Sequence, residues 1–208
     1  MRLYKFRSLF NLERLADILV SERLFCPWYY DLNDPFEGSC IERGYPGTPE
    51  NQGRRYNCTT TIDDLADPEH PAEYRVCSLS GSSNEVQMWS HYGDSHKGVA
   101  IEIDFTGVEP LLAKVDYVEG LKNYDSLIGE NPSIRNILLH KTETWRYENE
   151  YRILTTERFY SIEGQITKIL LGPRFPRQSR ALIERLCPSG ATIADTCLDH
   201  ESATVKPQ

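Results

Sequence analysis

The sequence predicts an α+β domain with a mostly antiparallel central sheet and flanking helices. Three observations carry this reading: apolar alternation in several short runs, helical periodicity in a few others, and a length of 208 residues, enough for one domain with a real core. Leu3-Tyr4-Lys5-Phe6-Arg7 alternates as a strand does. Asn11 then caps a helix expected to bury Leu12, Leu15, Ala16, Leu19 and Val20. Leu24-Phe25-Cys26 reads as a short strand closed by Pro27, with an aromatic, turn-rich segment from Trp28 to Gly38 behind it. Residues 43–73 are rich in Pro, Gly, Asn and Asp, and are expected to form a long surface insertion or lid.

Tyr74 to Ser80 reads as a strand, and Asn84 as the cap of a short helix carrying Val86, Met88, Trp89 and Tyr92. Val99 to Phe105 is the next strand, with Lys114 to Val118 as its expected antiparallel neighbour. A helix from about Pro132 to Lys141 leads into an extended stretch from Trp145 to Leu154. Ile166 to Leu171 is one more strand, ended by Gly172-Pro173, and a helix follows near Arg177 to Leu186. The domain so read spans residues 1–187, leaving 188–208 as a loosely ordered tail. No internal repeat appears.

Charge and composition exclude several classes. Lys and Arg number 23 against 31 Asp and Glu, a net charge of −8, so a general electrostatic grip on nucleic acid is not expected, although a local basic cleft remains open. No run approaches the roughly 18 apolar residues of a membrane span. The basic, aromatic start lacks the apolar region of a secretory signal. A soluble cytoplasmic protein is expected. The six cysteines form no C-x-x-C pair and are read as reduced, two or three of them in the core. G-x-S-x-G, G-x-x-x-x-G-K-[ST], G-x-G-x-x-G and H-E-x-x-H are all absent, so no metal ligand is assigned.

Three clusters could carry chemistry. Glu148-Asn149-Glu150, read as a strand, places two carboxylates on one face, where like charge raises the pKa of one of them. The competing structural reading is an exposed edge strand whose acids pair with Arg146 and Arg152. Asn33-Asp34-Pro35-Phe36-Glu37-Gly38 reads either as an Asx-type turn with Phe36 plugging the core, or as a loop fixing Asn33, Asp34 and Glu37 at a cleft rim. Ser78 and Ser80 leave their strand on one face. Trp89, His91 and Tyr92 follow on the helix, as packing residues or as parts of a site.

Leu3 to Arg7, Asn33 to Glu37, Cys77 to Ser80, Met88 to Tyr92 with Lys97-Gly98, Trp145 to Arg152, and Ile169 to Pro173 occur in the order of a widespread bacterial family of unknown function. Its members carry LYKYR, NDPFE, SLS, MWSHY, W-x-x-E-x-E-x-R and ILGP signatures, and the resemblance covers roughly residues 1–187. More distantly, the succession of an aromatic/Arg strand, an S-x-S strand and an E-x-E strand resembles the ADP-ribosyltransferase superfamily. That resemblance implies an ADP-ribosyltransferase-like fold and NAD as substrate. It also implies an effector of the toxin or phage-defence kind, with a protein, nucleic-acid, small-molecule or water acceptor. Glu150 would be the ribose glutamate and Glu148 the acid that positions or deprotonates the acceptor. Arg7, or Lys5, would contact the pyrophosphate. Ser78 and Ser80 would brace Glu150 and the nicotinamide ribose, and Tyr4, Trp89 or Tyr92 would stack on the nicotinamide.

Two other readings stay open. One is a metal-dependent phosphodiesterase or nuclease in which Asp34, Glu37, Glu148 and Glu150 collect Mg²⁺. The other is a non-catalytic module that recognises a partner through Trp28, Tyr29, Tyr30, Trp89 and Trp145.

Overall fold

The computed structural model describes residues 1–44, 56–65, 73–107, 112–125 and 133–208. The chain opens with strand β1 (Arg2–Arg7), helix α1 (Leu12–Leu19) and strand β2 (Arg23–Phe25). Strands β3 (Ser39–Gly44) and β4 (Tyr56–Thr61), helix α2 (Ile62–Leu65), strand β5 (Arg75–Ser80) and helix α3 (Val86–His91) come next. Strands β6 (Val99–Asp104), β7 (Leu112–Lys114), β8 (Asp116–Val118) and β9 (Asn123–Asp125) precede helix α4 (Ile134–Ile137). The remainder comprises β10 (His140–Thr142), β11 (Glu150–Thr155), β12 (Phe159–Ser161), β13 (Ile166–Leu171), helix α5 (Arg180–Leu186), β14 (Thr192–Asp199) and β15 (Thr204–Pro207).

Eight strands form the main sheet in the order β15-β14-β13-β6-β1-β5-β11-β7. Every neighbouring pair is antiparallel except β13 and β14. This is the α+β architecture with a mostly antiparallel sheet that the alternation predicts. Successive side chains on a strand point to opposite faces, and β1 divides its residues accordingly. Leu3 joins a cluster with Leu15 and Ile18 of α1, Ile101, Ile169 and Ile183 of α5. Phe6 joins Met88, Trp89 and Leu170 on the other face. A third cluster, with Tyr29, Cys40, Ile62, Val76, Ile137 and Leu138, brings together β3, β5, α2 and α4.

Helix α1 begins as expected, with the Asn11 side chain accepting from the Arg14 N–H at 3.2 Å. Its buried stripe is Leu15, Ile18 and Leu19, while Leu12 and Val20 are exposed. Several expectations are corrected. Lys114 to Val118 is not the neighbour of β6: β7 pairs with β11 and β8 runs parallel to β10, because the chain changes partners at Val115. Helix α4 is four residues long and yields to β10 before Lys141, and Pro132 lies outside the described residues. Within the expected insertion, β4 pairs with β3 and Ile62 is buried, so this part is built into the fold. The rest, 45–55 and 66–72, lies outside the described residues. The segment after Cys187, expected to be loose, supplies β14 and β15, and Val205 packs with Trp89. All six cysteines are free, and Cys26, Cys40 and Cys77 are buried. Among the described residues no helix is long and apolar enough to cross a membrane.

Candidate functional site

Strands β1 and β5 are neighbours in the sheet, yet they pair in register only at Tyr4 and Ser80. β1 stays fully paired with β6, and β5 with β11. Beyond Tyr4 the two central strands therefore part, and a cavity of about 340 Å³ occupies the gap. Tyr4, Lys5, Phe6 and Arg7 line it from β1, and Ser78, Leu79 and Ser80 line it from β5. One face of a continuous strand offers only alternate residues. A wall of consecutive residues means the cavity cuts between the strands. Asn11, Arg14, Phe25 and Pro27 border it as well, as do Asn33, Tyr92, Lys141, Glu148 and Glu150.

The two acids meet, but not by strand alternation. Glu143 to Glu148 is a 3₁₀ helix, and Asn149 turns the chain with φ +42°, a left-handed conformation that Asn tolerates. β11 begins only at Glu150. The expected exposed edge strand is absent: β11 lies between β5 and β7, and Glu148 and Glu150 are 4% and 2% exposed. Arg146 pairs instead with Glu143 on the surface.

Lys141 connects the two carboxylates. Its Nζ donates to Glu148 Oε2 at 2.5 Å and to Glu150 Oε2 at 3.2 Å. The buried Arg152 guanidinium donates to Glu150 through Nε at 2.8 Å and Nη2 at 3.0 Å. Its Nη1 donates to Glu37 Oε2 at 2.8 Å and to the Leu138 carbonyl at 2.6 Å, and Nη2 also contacts Glu37. Three carboxylates thus face two cations. Burial drives the Glu150 carboxyl upward, but Arg152, Lys141 and the Ser78 hydroxyl overcome it and hold the pKa at about 2. At Glu148 burial prevails over Lys141, with the nearby Glu150 charge adding to it, and the carboxyl is raised. Lys141 is raised too: Glu150 and Glu148 outweigh its burial.

The cations on β1 are differently placed. Lys5 Nζ donates to the Ser78 carbonyl and lies 3.8 Å from Cys77 Sγ. Arg7 donates through Nη1 to the Phe6 carbonyl at 3.3 Å, and its Nε has no partner among the described residues. Among the described residues neither forms an ion pair with a carboxylate, and burial lowers the pKa of both. They are the groups on this wall suited to receive an anion.

Other candidates divide. The Tyr92 hydroxyl donates to Glu148 Oε1 at 2.6 Å and accepts from Asn33 Nδ2 at 2.7 Å, so both belong to the cavity. Tyr4 lines it while donating to Glu102 at 3.0 Å. Ser80 braces the turn rather than the Glu150 carboxylate: its Oγ lies 2.8 Å from the Glu148 carbonyl and 2.9 Å from that of Ser82. Trp89 is no stacking platform, being 0% exposed, edge-on to Phe6 and hydrogen-bonded to the Ser83 carbonyl. His91 lies outside the cavity and meets the Tyr147 hydroxyl at 3.1 Å. Asp34 makes the Asx turn, accepting from the Phe36 N–H at 3.0 Å. Phe36 does not plug the core: it is 56% exposed. Glu37 stands behind Glu150, across Arg152.

For the other two readings, Glu37, Glu148 and Glu150 are each engaged by Arg152 or Lys141. Among the described residues no three acids, histidines or cysteines are grouped to hold a metal ion. The five aromatics of the recognition reading do not form one surface, since Tyr29 and Trp89 are buried. Lys141 is the residue that sequence reasoning missed. Nothing in the sequence ties it to acids seven and nine positions away across a 3₁₀ helix. No protein-family model matches the chain, and neither a curated protein nor a solved structure is significantly similar to it.

Proposed function

We propose that the chain consumes NAD, transferring its ADP-ribosyl group to an acceptor or to water. One observation carries the reading: Lys5 and Arg7, cations without carboxylate partners among the described residues, line the same cavity as a carboxylate held ionised, Glu150. The two halves match the two chemical demands of the substrate. A diphosphate needs fixed positive charge in a recess where water competes poorly, and Arg7 with Lys5 supplies it. Loss of nicotinamide builds positive charge on the ribose, and a preoriented carboxylate lowers that barrier most when it need not reorganise.

Glu150 is preoriented. Arg152 holds both of its oxygens and Lys141 donates to one of them at 3.2 Å. Glu37, Glu148 and Glu150 set three carboxylates against the two cations Arg152 and Lys141, so the group carries a surplus acid. Glu148, whose carboxyl is raised, takes the acceptor's proton. Tyr92 and Asn33 keep its other oxygen directed.

The test is to incubate the purified chain with NAD and follow release of nicotinamide. Turnover that vanishes in Glu150→Gln, with the circular dichroism spectrum unchanged, is the expected result. NAD bound but neither cleaved nor transferred would overturn the reading. Activity lost with EDTA and restored by Mg²⁺ on a phosphodiester would replace it with the nuclease reading.

A further inference from the structure

We propose that Cys26 and Cys77 form a reversible modification site, a dithiol that a small peroxide converts to a cross-strand disulfide. The inference is independent of the NAD reading and rests on register. Trp28 and Arg75 form an isolated antiparallel bridge. On either side of it Tyr29 N–H donates to the Tyr74 carbonyl at 3.2 Å and Val76 N–H to the Pro27 carbonyl at 2.9 Å. Tyr29–Tyr74 and Pro27–Val76 are therefore hydrogen-bonded positions. The same register sets Cys26 opposite Cys77 at a non-hydrogen-bonded position.

Such opposed residues lie about 4.5 Å apart at Cα with their side chains on one face. A disulfide spans about 4.4–6.8 Å at Cα. Both thiols are fully buried in the same cluster, where the Cys26 Sγ–H donates to the Leu24 carbonyl at 3.7 Å. Pro27, between Cys26 and the bridge, fixes the approach of β2 to β5.

The two sulfurs are not equivalent. The neighbouring Cys26 thiol brings the Cys77 thiol down to about 6 against the effect of burial, with Lys5 and Arg7 adding to it, and Lys5 Nζ stands 3.8 Å from the sulfur. Cys26 is pushed up by its Cys77 neighbour and by burial. Cys77 is the attacking thiolate and Cys26 the resolving thiol. The Cys77 thiolate attacks one peroxide oxygen, the O–O bond breaks, and Cys77 becomes a sulfenic acid as hydroxide leaves. Cys26 then attacks that sulfur. The S–S bond forms, and the departing hydroxyl leaves as water with the Cys26 proton. One peroxide is reduced to water and hydroxide while the two sulfurs together lose two electrons.

Both cysteines are fully buried, so the oxidant must be of peroxide size. Their chain neighbours Phe25, Pro27, Val76 and Ser78 line the cavity, which gives the route. Oxidation also removes the sulfur anion beside Lys5.

The test treats the full chain with hydrogen peroxide, blocks remaining thiols under denaturing conditions, and maps the digest by mass spectrometry. The expected product is one peptide pair joining Cys26 to Cys77, lighter by two hydrogens and separated by a reductant. In Cys26→Ser, a sulfenic-acid trap should mark Cys77. Should both cysteines be recovered as blocked free thiols after exposed Cys58 has been oxidised, or be joined to other cysteines, the proposal fails. The wild-type map decides this even if the Ser variant does not fold.

Discussion

Tyr92 reaches from the C-terminal end of α3 to donate its hydroxyl proton to Glu148 at 2.6 Å, tying a helix to a turn 56 residues further along the chain. This bond favours the ionised carboxylate, whereas burial and the Glu150 charge favour the protonated form. Replacing Tyr92 by Phe should raise the Glu148 pKa further. In a carboxyl-carbon NMR titration, Glu148 should titrate above the ordinary glutamate range in the wild type and higher still in Tyr92→Phe. The acid limb of NAD turnover should move to higher pH by the same amount.

The Arg152 guanidinium is shared by Glu37 and Glu150, all three nearly inaccessible to water. Removing the shared partner leaves two carboxylates unmatched. Arg152→Met should cost about 3–5 kcal/mol, the range for breaking a buried ion pair from one side. Urea unfolding at neutral pH measures it. Glu150→Gln should be milder, because Arg152 keeps Glu37.

Acid stability gives a separate check. The Glu150 pKa falls from its ordinary value near 4.5 to about 2 on folding, so its contribution is present above the ordinary value and is lost as pH drops toward 2. The buried Glu148 works in the opposite sense: its raised carboxyl favours the fold at low pH and loses that contribution as pH rises through the folded value. Between pH 4.5 and 2, unfolding free energy should fall less steeply in Glu150→Gln than in the wild type. Parallel slopes would contradict the ionised assignment.

Lys5→Met and Arg7→Met each remove one charge from the cavity wall. A hydrogen bond to a charged group contributes about 1.5–3 kcal/mol, so each variant should weaken NAD binding roughly ten- to hundredfold. Isothermal titration calorimetry reads this directly. Inorganic pyrophosphate should lose affinity in parallel, and an uncharged nucleoside should not.

Gly98 lies where β6 begins, and a Cβ there would collide with the Arg7 carbonyl and the Gly93 backbone. Those atoms are main chain and have little room to retreat. Gly98→Ala should destabilise the fold by about 1–3 kcal/mol and also weaken anion binding, because the end of β1 carrying Arg7 must shift. A melt and a pyrophosphate titration on the same sample separate the two effects.

The central strands are the most legible. β1, β5, β6 and β13 are short runs rich in apolar residues because each packs its two faces on different clusters. The Glu148–Glu150 pair was legible as two acids but not as a turn, since a left-handed Asn leaves no periodicity to detect. β14 leaves little trace in the sequence because its burial is shallow along most of its length, so period-two contrast is faint. Trp89 is ambiguous for the opposite reason. An aromatic three residues from Tyr92 fits a core or a site equally, and only the fold chose the core. Ion pairs between distant strands, such as Lys141 with Glu150, depend on topology and carry no local signature.

The last two strands also act as a guard. β14 covers the flank of β13, and the Val205 N–H of β15 bonds to the Asn84 carbonyl ahead of α3 at 2.9 Å. A chain cut after Cys187 would lay bare the amide row of β13, whose sequence Ile166 to Leu171 is strongly apolar. Such a bare apolar rim is a template for intermolecular stacking. Shortened forms should therefore precipitate or self-assemble before they lose their secondary structure.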